Sequence, residues 1–135
     1  MRKLIEDWLK KLEQIDDTQA AERVASRWNR KQVLGHLIDS ACNNHQRFVR
    51  LQAGDLGGFP PYDPDQWVEA GCYGAANWAD LVRLWHAYNL QLALLIDNVD
   101  AAALKHVWKE KNATLGFLID DYQSHMLHHL RQLEA

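Results

Sequence analysis

The sequence predicts an all-α protein, a four-helix bundle with a long crossover between its second and third helices. Three observations predict it. Apolar residues recur at helical spacing in four separate stretches. No stretch shows the alternation of a strand. Nearly all of the chain's glycine and proline falls in one connection, residues 54–77. The 135 residues are 47% hydrophobic, enough for one core, so we expect a single domain over 1–135.

The first helix is expected over residues 2 to about 15, where Leu4, Ile5, Trp8, Leu9, Leu12 and Ile15 follow the helical period. Asp16-Asp17-Thr18 either closes it or caps a short continuation through Arg23. The second helix is predicted over 30 to about 53. Asn29 with Gln32 three residues later fits a capping box, and Gly35 is its one helix breaker. Its apolar stripe is Val33, Leu34, Leu37, Ile38, Ala41, Phe48 and Leu51. The connection at 54–77 is long for a compact domain. Within it a one-turn helix is expected near Pro64–Ala70, capped by Asp63, with Pro64 at its first position. So long a link suits a crossover running the length of a bundle, which makes the flanking helices parallel neighbours. The third helix begins after Asn77, with Trp78, Leu81, Val82, Trp85, Tyr88, Leu92, Leu95 and Ile96 inward. Asn98–Asn112 is a shorter connection. Thr114 caps the fourth helix, which turns Leu115, Leu118, Ile119, Tyr122, Met126, Leu130 and Leu133 inward.

Composition excludes several classes of function. The formal charge is −3 with no basic block, so no footprint for a nucleic-acid backbone is expected. No apolar run reaches membrane-spanning length, so no membrane partner is expected. The opening residues Met1–Asp7 meet charges at once and lack a signal-peptide core. Cys42 and Cys72 fit neither a CxxC pair nor a disulfide framework, and Cys42 reads as a small core residue. A cytoplasmic setting follows as the expectation.

Chemistry concentrates in the histidines. His125 and His129 are four apart, so they share one helix face at the edge of the apolar stripe, while His128 points to solvent. Two imidazoles at that spacing can grip one metal ion. They also read as half-buried histidines with ordinary hydrogen bonds. On the second helix, His36 shares a polar face with Asp39, Ser40, Asn43 and Arg47. That face is solvated if the helix simply lies on a core, and lines a pocket if the bundle opens. His45 joins the apolar stripe and reads as a buried structural histidine. His86 reads as exposed, and His106 falls in a connection with no evident partner.

Trp28, then Val33-Leu34-Gly35-His36-Leu37-Ile38-Asp39-Ser40-Ala41, then Asn43-Asn44-His45-Gln46-Arg47-Phe48, then Asp121-Tyr122, His125 and His128-His129-Leu130 together resemble the DinB/YfiT-like superfamily. The order and spacing of these motifs carry the likeness over nearly the whole chain. The resemblance implies up-down-down-up topology and a three-histidine site for a divalent metal. It assigns His36 as the ligand from the second helix and His125 and His129 as the pair from the fourth. It also implies a homodimer, since such proteins are often dimers. Asp39, one turn from His36, is our own candidate for a carboxylate that holds a water or supports a ligand, and for a catalytic role.

Three neutral imidazoles leave a metal ion with open positions, as in catalytic sites. The ion, zinc, nickel or iron, then lowers the pKa of a water toward ~7 or takes a thiolate. The resemblance implies both chemistries: a metal-dependent hydrolase, or a transferase that activates a low-molecular-weight thiol. In an enzyme, residues 54–77, with Tyr62 and Trp67, would lid the pocket. The alternative is a non-catalytic metal-binding or stress-response bundle that acts by dimerising or through a protein partner. Trp67 and Trp108 would then form an aromatic patch; otherwise they tuck over the bundle ends.

Overall fold

The computed structural model describes residues 1–24 and 27–134. Its helices are α1 (Arg2–Glu13), α2 (Asp17–Ala20), α3 (Arg30–Ala53), α4 (Pro64–Ala70), α5 (Trp78–Asp97) and α6 (Leu115–Gln132). The bundle consists of α1, α3, α5 and α6; α3 packs on α5 and α6, and α1 packs on α5.

The caps act where the sequence places them. Asn29 and Gln32 form a reciprocal capping box that starts α3. Asp63, Asn77 and Thr114 each accept a backbone N–H at the starts of α4, α5 and α6. Helix α1 ends at Glu13, short of the expected residue 15, because Asp16 opens its own helix, α2, with a second capping box.

Direction follows from contacts between helix ends. Asp17 accepts the backbone N–H of Trp78 at 2.9 Å and pairs with Lys31 at 3.1 Å. The starts of α3 and α5 therefore lie together, and these helices run parallel across the crossover. Arg2 bonds to Asp97 and Trp78 Nε1–H donates to the carbonyl of Leu12, which sets α1 antiparallel to α5. Arg30 donates to the carbonyl of Leu133, so α6 runs antiparallel to α3. The order is up-down-down-up.

Two core clusters fill the bundle. One gathers Ile5, Trp8 and Leu12 with Leu34, Leu37, Trp85, Met126 and Leu130. The other gathers Ala41, Phe48 and Leu51 with Leu92, Trp108, Leu115 and Tyr122. Two expectations change. The second connection contains a small antiparallel ladder, β1 (Val107–Trp108) with β2 (Ala113–Thr114), where no strand is expected. Strands of two residues are too short to show alternation. Trp108 is a core residue rather than part of an exposed aromatic patch. Among the described residues, no helix is long and apolar enough to cross a membrane.

Candidate metal centre

The first half of helix α3 is buried on every side. Residues 33 to 41 are all buried, the polar positions included. The polar face holding His36, Asp39, Ser40, Asn43 and Arg47 is therefore inside the protein. Gly35 explains part of the cover. A Cβ there would lie 2.2 Å from the ring of Tyr73, so only glycine lets the crossover settle on α3. The Tyr73 hydroxyl then donates to Oδ1 of Asp39.

The three predicted histidines converge. His36 comes from the second turn of α3, with Trp28 against it at 5.0 Å between ring centroids. His125 and His129, one turn apart on α6, have rings 4.6 Å apart. Nε2 of His36 lies 3.2 Å from Nε2 of His125. One ring nitrogen from each of the three histidines falls within 4.8 Å of the others. Nδ1 of His129 meets Oε1 of Gln132 at 2.9 Å, which leaves Nε2 of that ring for other use.

These residues fit a divalent ion. Two imidazole nitrogens sharing one ion at about 2.0–2.1 Å in a tetrahedral set lie about 3.3 Å apart. The observed 3.2 Å between His36 and His125 matches that edge. The electrostatics agree. Burial, with the neighbouring His129 and His125, pushes His36 down to about 3. Burial and His129 push His125 down to about 4. Burial also lowers His129, opposed by Gln132. All three rings are thus neutral at pH 7 and able to donate to a metal.

Asp39 is buried one turn beyond His36. Its Oδ1 accepts from Tyr73, and its Oδ2 is buried with no partner among the described residues. Burial raises the Asp39 carboxyl, opposed by the Tyr73 bond, and burial also raises the Tyr73 phenol. Trp28, which packs on His36, and Tyr73, which bonds Asp39, help to line an open cleft of about 540 Å³ with Gln32, Asp65 and Cys72, although none of the three histidines lines it. Tyr62 packs edge-on to Trp67 at 5.4 Å within the crossover.

None of the other four histidines joins the group of three, although His128 borders it. His45 is only partly buried, against expectation, and Nδ1 meets the Tyr88 hydroxyl at 2.8 Å. His86 is partly exposed and pairs with Glu6. His106 does have a partner, the carbonyl of Leu51 at 2.5 Å. His128 is exposed, edge-on to His129. Cys42 is partly rather than fully buried. Sequence reasoning missed Tyr73 and Gln132. The signal for Tyr73 was Gly35 itself, since a glycine inside a helix marks a close approach.

No protein-family profile matches the chain, and neither does any curated protein sequence. Solved structures do. YfiT from Bacillus subtilis, described as a probable metal-dependent hydrolase with an unusual four-helix bundle topology, superposes with TM-score 0.82 at 22% identity, over 98% of this chain and 81% of that one. The mycothiol-dependent maleylpyruvate isomerase superposes with TM-score 0.80 at 13% identity, over 99% of this chain and 58% of that one. This chain therefore spans little more than half of the isomerase. At such identities the likeness is one of fold. The chain folds as a four-helix bundle like that of YfiT.

Proposed function

We propose that the protein is a metal-dependent enzyme in which His36, His125 and His129 hold one divalent ion, zinc, nickel or iron. It acts on a small molecule through water, as a hydrolase, or through the sulfur of a low-molecular-weight thiol, as a transferase. The observation that carries this reading is the convergence of three neutral imidazoles from two helices within 4.8 Å. Among the described residues, no fourth histidine, cysteine or carboxylate joins the cluster. That favours a site with room for a reactant over a closed structural one, and so an enzyme over a binding module. The two structural neighbours support the two branches, one described as a hydrolase and the other dependent on a thiol.

When bound, the ion would supply Lewis acidity, easing loss of a proton from water or thiol near neutral pH. The protein's own groups do the rest. Asp39 orients the nucleophile and accepts its proton at Oδ2, the oxygen that Tyr73 leaves free. Its raised pKa brings the carboxyl nearer the working range of a general base. Tyr73 stays protonated and fixes Oδ1. Gln132 holds the tautomer of His129. The cleft that Trp28 and Tyr73 help to line is the candidate approach for the substrate, through the Trp28 contact with His36. The reading includes a cytoplasmic setting, supported by the two free cysteines. It also includes a homodimer, for which the exposed Val49, Leu84, Leu94 and Phe117 offer apolar surface.

The test is the metal content of protein purified without chelators or a histidine tag, beside His36→Ala and His125→Ala. Close to one ion per chain, lost in both variants, is expected. No metal in the wild type, even after incubation with zinc, nickel or iron, would sink the proposal.

A further inference from the structure

Three turns beyond His36 on the same face of α3 lies Arg47, buried to 6% exposure. Arginine is rarely buried without an acid to pair with. Among the described residues, no carboxylate forms an ion pair with Arg47. Its Nη1 makes a long bond of 3.4 Å to Oδ1 of Asn44, and its Nε–H is buried with no acceptor among the described residues. Aromatic rings surround the guanidinium instead. Trp108 lies 4.1 Å away, Phe59 5.7 Å and Tyr62 5.9 Å. Arg50 lies 5.7 Å from the Phe59 ring and bonds to Gln46. The nearby loop acids serve backbone groups. Asp55 accepts from Val107 N–H, and Glu110 from Gly58 N–H.

A guanidinium offers a planar fork of donors matched to an oxyanion. Here the fork is desolvated, positively charged and incompletely bonded, which is the state of a binding group awaiting an anion. Phe59 and Tyr62 cover it from the segment that follows Gly54 and Gly58. These glycines hold φ of +155° and +80°, conformations that other residues rarely adopt. Between His36 and Arg47 the face is polar and buried, through Asp39, Ser40 and Asn43. Eleven residues of helix place the two ends about 16 Å apart along the axis.

We infer that Arg47 is an oxyanion-binding residue for the far end of the substrate. The substrate class is then an elongated small molecule whose reacting end meets the histidine cluster and whose other end carries a carboxylate or phosphate. The inference rests on the histidine cluster being the reaction centre, but the anion subsite is testable without metal.

The experiment titrates metal-free, ¹⁵N-labelled protein with sodium acetate, with inorganic phosphate and with chloride at constant ionic strength. The readout is the Nε–Hε signal of Arg47, identified by its absence from Arg47→Lys. A saturable shift with acetate or phosphate, but not chloride, is expected. Saturation by acetate marks a carboxylate, and saturation by phosphate alone marks a phosphorylated end. The shift should persist in His36→Ala, and Arg47→Lys should bind at least about tenfold more weakly, read on the Trp108 indole signal. A signal that stays still, or drifts alike with every salt, overturns the inference. Should Arg47→Lys not fold, the wild-type indole signal of Trp108, assigned by Trp108→Phe, decides instead. Anion binding without metal binding would remove the proposed reaction centre and leave the subsite. Metal binding without anion binding would do the reverse.

Discussion

Helix α3 buries two faces of opposite chemistry. One carries Leu34, Leu37, Ala41, Phe48 and Leu51, and the other carries His36, Asp39, Ser40, Asn43 and Arg47. Both are buried, so exposure does not distinguish them. Satisfaction does. The apolar face loses water and gains contacts, which stabilises the bundle. The polar face leaves Nδ1 of His36, Oδ2 of Asp39 and Nε of Arg47 buried without partners among the described residues. Each such atom costs stability. A helix needed only for architecture would turn those residues to water. The difference teaches that one face of α3 holds the fold and the other costs it stability, the trade expected of the proposed site.

The largest effect expected from this division is on the apolar face. Phe48 is fully buried and meets Tyr122 edge-on at 5.8 Å. Phe48→Ala should lower stability by about 3–5 kcal/mol in chemical denaturation. Its metal stoichiometry should match the wild type, and loss of metal from the folded variant would break the comparison. Next comes the junction between the polar face and its cover. Gly35→Ala puts a Cβ where the Tyr73 ring lies, so the ring and its bond to Asp39 must shift. We expect a loss of about 1–3 kcal/mol despite alanine's better helix propensity. A stabilised Gly35→Ala protein would show that the crossover does not pack on α3 as described.

The sequence made the elements legible more fully than the cover. The second long helix was expected over 30 to about 53 and spans Arg30–Ala53, because the Asn29–Gln32 box and Gly54 mark both ends chemically. The convergence of His36, His125 and His129 followed from spacing and resemblance together. The polar face of α3 stayed open between solvent and pocket, because periodicity sorts residues by angle and cannot say what packs on each angle. Tyr73 reaches Asp39 from 34 residues away through an irregular turn, which no local pattern encodes. His45 went astray for the same reason. Its angle placed it on the apolar stripe, but the Tyr88 hydroxyl holds it at the edge of the core.

Acid should expose the cost of the polar face. The unfolded chain takes up protons on its histidines near pH 6.5, whereas folded His36 stays neutral to about 3 and His125 to about 4. Between these values the unfolded state binds more protons, so stability falls as pH drops. His36 alone should lower the stability of metal-free protein by about 2 kcal/mol from pH 7 to pH 5. The slope should shrink in His36→Ala. An equal slope in both proteins would mean that acid sensitivity arises elsewhere.

The smallest effect sharpens the comparison at its edge. Gln132 sits in the last turn of α6, and its Oε1 accepts the Nδ1–H that fixes His129. This bond is partly buried and contributes nothing to either core cluster. Gln132→Ala should therefore leave stability within about 0.5 kcal/mol of the wild type. Metal affinity should fall about tenfold, the low end for a residue that orients a ligand, because water can replace part of the lost bond. Gln132→Glu should restore affinity, since a carboxylate accepts the same proton and strengthens the ring as a donor. Competition against a chelator measures all three proteins. An unchanged affinity in Gln132→Ala would show that the neighbouring rings position His129 by packing alone, and that the polar arrangement ends at the histidines.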